Sequence, residues 1–398
     1  MSIDADASAH LIRFRRELHA APEIGLQLPH TQRKILAELD GLPLEITLGR
    51  ASSSITAVLR GTHAERSTSA PSVLLRADMD GLPVSEPATT EYASRIPNAM
   101  HACGHDLHMA MLVGAARELS ARRSELRGDV VFMFQPGEEG WGGARIMIDE
   151  GVLDAAGQRV SSAFALHVFT GDRRPAKFGV RSGTAMASAA ALTVHITGKG
   201  GHGSAPHLAS DPVTTAAEII LALQSATTRR FDALDPVVVT VGQIEAGTAR
   251  NIIPDSAHLY ATVRSFSHPS QALAASVLPS VAHGVAAAHG QIADVEFRPE
   301  FPTLVNAAGE AALAVDIITE HFGAGSVELL QQPKTASEDF AEILQLVPGA
   351  FVFLDATPEE HCEYNHSPHA VYDDAVLADG ARLHTEFAIN RLAQLCSD

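Results

Sequence analysis

The stretch DVVFMFQ, residues 129–135, decides the fold class of this chain. It is almost continuously apolar, which is typical of a strand buried inside a sheet. Three further apolar stretches, at 54–60, 72–77 and 163–168, have the length of strands, and a helix is predicted over 107–122. Strands that alternate with amphipathic helices predict an α/β domain rather than a helical bundle.

A different pattern starts near position 184. The segment 192–196 alternates apolar with polar residues, as in a strand with one buried face, and the Asp-Pro pair at 211–212 predicts the start of a helix. Strands and helices then follow in the order β-α-β-β-α-β, which is typical of a ferredoxin-like unit. We therefore predict an α/β domain with a mixed sheet, formed by residues 1–183 and 299–398, and a ferredoxin-like α+β domain inserted over 184–298.

Composition and charge exclude several classes of partner. The chain has 398 residues, of which 46% are hydrophobic, enough to build the cores of two domains. Its formal net charge of -18 repels polyanions, so we expect no nucleic acid partner. It has no run of about 18 apolar residues and no secretory leader pattern at its start, so we expect no membrane contact and a cytoplasmic location. The cysteines Cys103, Cys362 and Cys396 are too few and too scattered for a disulfide framework.

The densest group of metal-binding side chains lies in MHACGHDLH, residues 100–108. It combines a thiol, imidazoles and a carboxylate, the groups that coordinate borderline divalent metals such as zinc. Cys103 and His105 are close enough in sequence for both side chains to reach one metal pair. A cysteine that is simply buried is the ordinary alternative. The neighbouring His101 and Asp106 favour a metal thiolate instead.

A pair of carboxylates follows the strand at 129–135 in the sequence PGEEG, residues 136–140. Adjacent side chains at a strand end can point in different directions, so one can bind metal while the other takes a proton from water. We assign Glu138 as the general base and Glu139 as a metal ligand. The alternative is a pair of solvated loop glutamates.

Two more histidines complete the candidate site, His167 at the end of a predicted strand and His366 late in the chain. Open α/β sheets collect their chemistry at the carboxyl ends of strands. We therefore expect the cysteine, histidine and glutamate clusters to lie at strand ends of one sheet. Asp78 and Asp80 follow another predicted strand, where they either orient histidine ligands or cap their own loop. Together these residues predict a two-metal hydrolase.

A wider set of motifs runs along nearly the whole chain, at 18–23, 76–81, 101–106, 134–140, 166–168, 198–207, 249–255, 337–340 and 365–368. In these motifs the chain resembles the aminoacylase/carboxypeptidase family of two-metal metallopeptidases, in particular the amidohydrolase branch with hippurate hydrolases and auxin-conjugate amidohydrolases. The resemblance implies two divalent metal ions per subunit; zinc suits a thiolate ligand best, and manganese or another divalent ion is the alternative. It makes Glu138 the acid/base and implies the metal ligands Cys103, His105, Glu139, His167 and His366.

The resemblance also implies that the inserted domain is a dimerisation and lid domain. In KGGHGS, residues 199–204, glycines flank His202, which by resemblance stabilises the oxyanion in the active site of the partner subunit of a homodimer. Asn251 and Arg264 would contact the carbonyl or carboxylate of the substrate, since arginine suits bidentate carboxylate recognition. Their alternatives are a turn asparagine and a solvent-facing strand arginine.

These expectations combine into a cytoplasmic, homodimeric, metal-dependent amidohydrolase. Its substrate would be a small molecule, an N-acyl-L-amino acid of the N-acetyl, N-benzoyl or indole-acyl type. The alternatives are a dipeptidase or carboxypeptidase-like peptidase on the same dinuclear site, a metal-independent cysteine amidase with Cys103 as nucleophile and His105 as base, and a noncatalytic binding module. Gly137 and Ser367 stand where relatives carry alanine and asparagine, and both changes bear on the expected acyl pocket.

Overall fold

The computed structural model describes residues 5–67, 69–171, 173–360 and 363–397, so Cys362 and the start of the chain lie outside the described residues. The strands, in chain order, are β1 Leu44–Leu48, β2 Ile55–Arg60, β3 Ser72–Asp78, β4 Asp129–Gln135, β5 Ser162–Phe169, β6 Phe178–Val180, β7 Gly183–Met186, β8 Ala189–Thr197, β9 Gly201–His202, β10 Val237–Ala246, β11 Ile252–Ile253, β12 Ser256–Ser265, β13 Ile292–Phe301, β14 Leu304–Asn306, β15 Val327–Leu329 and β16 Gly349–Asp355. The helices are α1 Ala5–His19, α2 Pro29–Leu39, α3 His105–Ala121, α4 Gly143–Asp149, α5 Pro212–Arg230, α6 His268–Ala288, α7 Ala308–Phe322, α8 Phe340–Leu344 and α9 Val376–Leu395.

The chain divides into two compact units. The first unit comprises Met1–Ala185, Val305–Gln332 and Glu342–Asp398. Its sheet has the strand order β1-β2-β4-β3-β5-β16-β6-β15. β3 pairs in parallel with β4 and β5, and β5 pairs in parallel with β16, whereas β2 is antiparallel to both β1 and β4. The prediction of an α/β domain with a mixed sheet is confirmed.

The central strands of this sheet are the most apolar stretches of the sequence. All seven residues of β3 and all seven of β4 are buried. β4 has the bounds that its apolar run predicts, because a strand covered on both faces has no polar face to interrupt the run. The carboxyl ends of β3, β4 and β5 lie side by side, since Asp78 pairs with Gln135 and Arg76 pairs with Ala165. This edge of the sheet carries the candidate site.

The second unit comprises Met186–Leu304 and Pro333–Ala341. Its four-stranded sheet has the order β10-β12-β8-β13, and all neighbouring strands are antiparallel. The elements β8, α5, β10, β12, α6 and β13 follow one another as β-α-β-β-α-β. The prediction of a ferredoxin-like α+β fold is confirmed.

One face of this second sheet is covered by α5 and α6. Leu192 and Val194 of β8 share a buried core with Leu278 of α6. The helix α5 starts where its Asp-Pro pair predicts, because the Asp211 side chain accepts a hydrogen bond from the backbone N–H of Val213 at 2.9 Å. The alternation of apolar and polar residues thus indicates which face of β8 packs against the helices.

The compact units and the predicted domains differ at their borders. β13 extends to Phe301, beyond the predicted end of the insert. The segment Pro333–Ala341 belongs to the second unit, although the sequence analysis assigned it to the α/β domain. A short segment without apolar periodicity carries no local signal of the unit that it packs against. The roles of the two units as catalytic and dimerisation domains stay predictions.

The helix α6 is long and apolar enough to cross a membrane by length and composition alone, a test that helices in protein cores also pass. Its sequence is not a continuous apolar run, because serines, a glutamine and histidines interrupt this segment. Ala274, Leu278 and Ala282 of α6 are fully buried in the core of the second unit. Packing against the sheet therefore accounts for the apolar residues on the buried face of this helix.

Candidate dinuclear metal centre

The candidate ligands of the first unit come from four different places in the fold. Glu139 follows β4, His167 lies inside β5 near its end, and His366 lies in the loop between β16 and α9. Cys103 and His105 flank the start of α3, so the prediction that this cluster terminates a strand is wrong. A long loop separates these two residues from β3. Because the loop sequence has no regular pattern, it does not predict where the chain returns to the sheet.

A glycine sets the direction in which Cys103 and His105 meet the sheet. Gly104 has φ 84°, a left-handed conformation that residues with a side chain rarely adopt. A Cβ at this position would clash with the Val168 side chain and contact the Tyr372 ring. Only glycine therefore allows α3 to begin this close to β5.

His366 is held in an unusual backbone conformation. Its φ is 71°, one of two positive values among the described non-glycine residues. Its backbone N–H donates a hydrogen bond to the Ala102 carbonyl at 2.8 Å, and Tyr372 Oη donates to the same oxygen at 2.8 Å. Such backbone strain persists only where the surroundings fix it, and it is common at functional sites. Here it fixes the last candidate ligand beside the Cys103 turn.

The structure brings the five predicted ligands together. The Cys103 sulfur lies 3.2 Å from His366 Nε2 and 3.4 Å from His167 Nε2. Glu139 Oε1 lies 3.3 Å from His366 Nε2 and 4.0 Å from His105 Nε2. Five donor side chains from distant parts of the chain thus converge on one small volume.

The donors fit divalent metal ions. Cys103, His105 and Glu139 each offer a ligand atom within 4.8 Å of the other two. Among the described residues, both ring nitrogens of the buried His105 have no hydrogen-bond partner. Buried polar atoms in proteins are almost always bonded, and a bound ion is one explanation for an exception. A thiolate, imidazoles and a carboxylate are donors that suit a pair of divalent cations.

His167, a candidate ligand, has a neutral imidazole ring. Its Nδ1 donates a hydrogen bond to the Val168 carbonyl at 2.7 Å, so the lone pair of the neutral ring is on Nε2, the atom that faces Cys103. Burial, followed by the nearby His108, holds the pKa of His167 well below its usual value. The ring therefore needs no deprotonation before it can bind a metal.

Asp78 and His108 form a pair to which the sequence analysis gave no joint role. His108 Nδ1 donates to Asp78 Oδ1 at 2.5 Å, and His108 Nε2 accepts from the Val168 N–H at 2.8 Å. Both ring nitrogens are therefore engaged, which leaves His108 a supporting residue rather than a ligand. Burial would raise the pKa of Asp78, but Arg76 beside it holds that pKa well below the usual range. In the sequence, the only indication of this pair is His108, the third histidine of MHACGHDLH.

Asp80 supports the glutamate pair. Its Oδ1 accepts a hydrogen bond from the Glu138 N–H at 3.0 Å, and its Oδ2 accepts from the Glu139 N–H at 3.1 Å. The sequence left open whether these aspartates orient histidines or cap their loop. Asp80 accepts hydrogen bonds from backbone N–H groups, whereas Asp78 accepts one from His108. Glu138 itself is buried, with 6% of its surface exposed.

A buried ionic network behind the site was not assigned by the sequence analysis. Asp106, directly after His105, accepts hydrogen bonds from His19 Nδ1 at 2.8 Å and contacts Arg15 Nε at 2.7 Å. Burial would raise the pKa of Asp106, but Arg15 and His19 lower it below the usual range. His19 Nε2 also lies 3.2 Å from Glu86. The network connects the start of α3 to the end of α1. In the sequence, the only indication of it is His19, the histidine of the 18–23 motif.

Three predicted site residues lie in the second unit. His202 is exposed at the end of β9, and its Nδ1 accepts hydrogen bonds from Ser204 Oγ at 2.8 Å and from the Ser204 N–H at 3.1 Å. The neutral ring therefore carries its proton on Nε2, which is free to donate. Asn251 is adjacent, because its carbonyl accepts from the Gly203 N–H at 2.9 Å.

Arg264 lies on β12 of the four-stranded sheet, whereas His202 lies in the separate β9–β11 pair. Its guanidinium donates a hydrogen bond to Ser337 Oγ at 2.7 Å. Partial burial lowers its pKa from the usual value, although an arginine stays charged at any physiological pH. The substrate-binding roles of Asn251 and Arg264 stay predictions.

Comparison with known proteins identifies the family. The model of peptidase family M20/M25/M40 matches residues 74–390. The chain belongs to this family. It is 34% identical over 394 residues to the N-acetylcysteine deacetylase of Bacillus subtilis, an alignment that covers 97% of this chain and 98% of the relative. It is 35% identical over 392 residues to the IAA-amino acid hydrolase ILR1-like 4 of Arabidopsis thaliana, covering 97% and 86%.

A solved structure agrees with both the fold and the metal chemistry. The YXEP protein of Bacillus subtilis, described as a dinuclear metal-binding peptidase of the M20 family, superposes with a TM-score of 0.83 at 31% identity. The match covers 98% of this chain and 99% of that chain. The resemblance read from the motifs is confirmed, and this M20 chain is a hydrolase of amide bonds with residues suited to two divalent metals.

The first prediction for this M20 centre concerns pH. Hydrogen bonds to the Cys103 sulfur and the Glu139 carboxylate raise the pKa of His366 to about 10. The metal-free ring therefore carries a proton at neutral pH, which a metal must displace. We expect metal affinity to fall about tenfold for each pH unit below 10 for this single proton. Metal titrations across the neutral range, with proton release measured by calorimetry, test this; an affinity independent of pH would contradict it.

Proposed function

We propose that this chain hydrolyses the amide bond of N-acyl-L-amino acids to a carboxylic acid and a free amino acid. The observation that carries the proposal is the convergence of Cys103, His105, Glu139, His167 and His366 beside the buried Glu138. M20 relatives named as an N-acetylcysteine deacetylase and an IAA-amino acid hydrolase support an acylated amino acid as the substrate class.

In this proposal Glu138 moves the protons. When bound, two divalent ions polarise the scissile carbonyl and lower the pKa of the attacking water. Glu138 accepts a proton from that water and passes it to the leaving amine. Its position is fixed because Asp80 holds the backbone N–H groups of both Glu138 and Glu139. Glu139 then acts as a ligand while its neighbour remains the base.

The second unit supplies the groups that recognise the substrate. His202 donates its Nε2 proton to the oxyanion of the tetrahedral intermediate, a role supported by the Ser204 contacts that set its tautomer. Asn251, bonded to the same turn, contacts the scissile carbonyl. Arg264 pairs with the carboxylate of the amino acid, because a half-buried guanidinium binds carboxylates strongly.

We also propose that the working form is a homodimer in which His202 serves the partner's site. The support is the exposure of several large apolar side chains in the second unit, since exposed apolar surface is common at interaction sites. The side chains more than half exposed there are Leu208, Leu221, Leu234, Ile244, Ile252 and Ile292. Ile252 pairs directly with His202 between β9 and β11, so His202 lies beside one of these exposed side chains.

A hydrolysis screen tests the proposed reaction and its metal. The protein is loaded with zinc or manganese and offered N-acetyl, N-benzoyl and indole-acyl amino acids together with dipeptides. We expect metal-dependent release of free amino acid, with zinc favoured because a thiolate is a soft ligand. Hydrolysis of dipeptides alone would support the peptidase alternative and contradict the proposed substrate class.

Replacing Cys103 separates a metalloenzyme from a cysteine amidase. Cys103→Ala removes a thiolate that lies 3.2 Å from His366 and 3.4 Å from His167, so we expect both bound metal and activity to fall. Cys396→Ala, at an exposed cysteine, is the control and should change neither. Lost activity with unchanged metal content would instead favour Cys103 as a nucleophile.

A further inference from the structure

A row of four ionisable side chains crosses the sheet of the second unit. His195 on β8 is directly opposite His258 on β12. On the outer sides of this pair, Asp294 of β13 is opposite His195, and Glu245 of β10 is opposite His258. Directly opposed residues of antiparallel strands place their side chains on the same face. The row therefore reads carboxylate, imidazole, imidazole, carboxylate across adjacent strands.

The row is on the sheet face opposite to α5 and α6. The neighbouring residues Val194, Ile196, Ala257 and Leu259 are buried in the core with those helices, and successive residues of a strand alternate between faces. His195 and His258 are each half-buried, while Asp294 and Glu245 are exposed. The imidazoles are thus partly shielded from water, whereas the carboxylates are exposed to it.

The two rings are spaced as ligands of one metal ion are. His195 Nδ1 lies 3.1 Å from His258 Nδ1 and 3.2 Å from His258 Nε2, and the ring centroids are 4.3 Å apart. Zinc–nitrogen bonds of about 2.0–2.1 Å in tetrahedral geometry place two ligand nitrogens roughly 3.3 Å apart. A change of a few tenths of an ångström would let both nitrogens bind the same ion.

We propose that His195 and His258 form a second, separate metal site for a borderline divalent ion such as zinc. Asp294 and Glu245 supply carboxylate oxygens from the outer strands, a donor set that zinc accepts. One Glu245 oxygen accepts a hydrogen bond from Gln243 at 2.7 Å, which holds that side chain on the same face. The ion joins β8 and β12, and through the carboxylates β13 and β10. The site is built entirely within the second unit and takes no part in the hydrolysis.

Metal stoichiometry tests this site. After dialysis against zinc, we expect the wild-type chain to hold one ion more than the two of the dinuclear centre. His195→Gln and His258→Gln should each lose that extra ion and keep hydrolytic activity. His289→Gln is the matched control, because His289 is a histidine of the same unit that lies 2.9 Å from Glu218. A wild-type chain that holds only two ions overturns the proposal, whether or not the variants fold.

Thermal unfolding gives an independent readout. We expect added zinc to raise the unfolding temperature of Cys103→Ala, in which the dinuclear centre is impaired, because an ion that binds only the folded state stabilises it. The double variant Cys103→Ala/His258→Gln should lose most of that rise. A histidine pair joined only by a hydrogen bond would give the two proteins the same response to zinc, and that result would refute a metal at this position.

Discussion

Glu138→Gln is expected to abolish turnover while both metals stay bound. Glutamine keeps the shape of the side chain but cannot accept the proton of the attacking water, and losing a general acid/base costs about 10²-fold to 10⁴-fold in rate. The backbone at this position is held by Asp80 through its own N–H, which the substitution does not alter. Measurement of kcat together with metal content by mass spectrometry tests the expectation.

The adjacent residue provides the matched control for this experiment. Glu139→Gln changes the same functional group one position along the chain, but Glu139 Oε1 is in the ligand cluster near His366 and His105. It should therefore lower metal content together with activity. A Glu138→Gln enzyme with near-normal kcat would show that another group is the base. A loss of metal from Glu138→Gln would make Glu138 a ligand instead.

The second large effect is expected from mixing two inactive variants. Glu138→Gln and His202→Ala should each be nearly inactive alone, since losing one oxyanion donor costs about 10²-fold to 10³-fold in rate. If His202 acts across a dimer, a mixed dimer contains one site with both defects and one site that is whole. Random pairing makes half of the dimers mixed, so co-refolding in equal amounts should restore about a quarter of wild-type activity.

The control for this mixture is subunit exchange itself, followed by mass spectrometry of differently labelled chains. Refolding each variant alone should restore nothing. Exchange without any recovery of activity would mean that His202 serves its own chain or no site at all. Recovery in a mixture of Glu138→Gln with Glu139→Gln is not expected, because both defects then lie in the first unit and no mixed pairing yields a whole site.

The sequence predicted the elements that have a local signal, which is an apolar run, an alternating pattern or a helix cap. β4 has its predicted bounds because a strand buried on both faces is one apolar run, and α5 starts at its Asp-Pro pair because capping is a local interaction. The β-α-β-β-α-β order followed from alternation in β8 and its neighbours. Periodicity did not predict the position of Cys103, since the loop before α3 has no repeat to follow.

The cluster of five candidate ligands was predictable from residue chemistry, but the residues that support it were not. Asp78 with His108, and Asp106 with His19, are pairs separated by long stretches of chain, and nothing local in the sequence connects them. The left-handed backbone of His366 also depends on its contact with Ala102, which is remote in sequence. Interactions of this kind arise only when the strands have been brought together by folding.

The location of His366 also has a consequence for biosynthesis. This residue follows the whole second unit in chain order, whereas Cys103, His105, Glu139 and His167 precede it. Domains generally fold as units while the chain is being made, starting from the amino terminus. The inserted unit is therefore synthesised before the ribosome adds the last candidate ligand. On the proposed function the metal centre forms last, because a nascent or truncated chain that ends before residue 366 has four of the candidate donors but lacks the fifth.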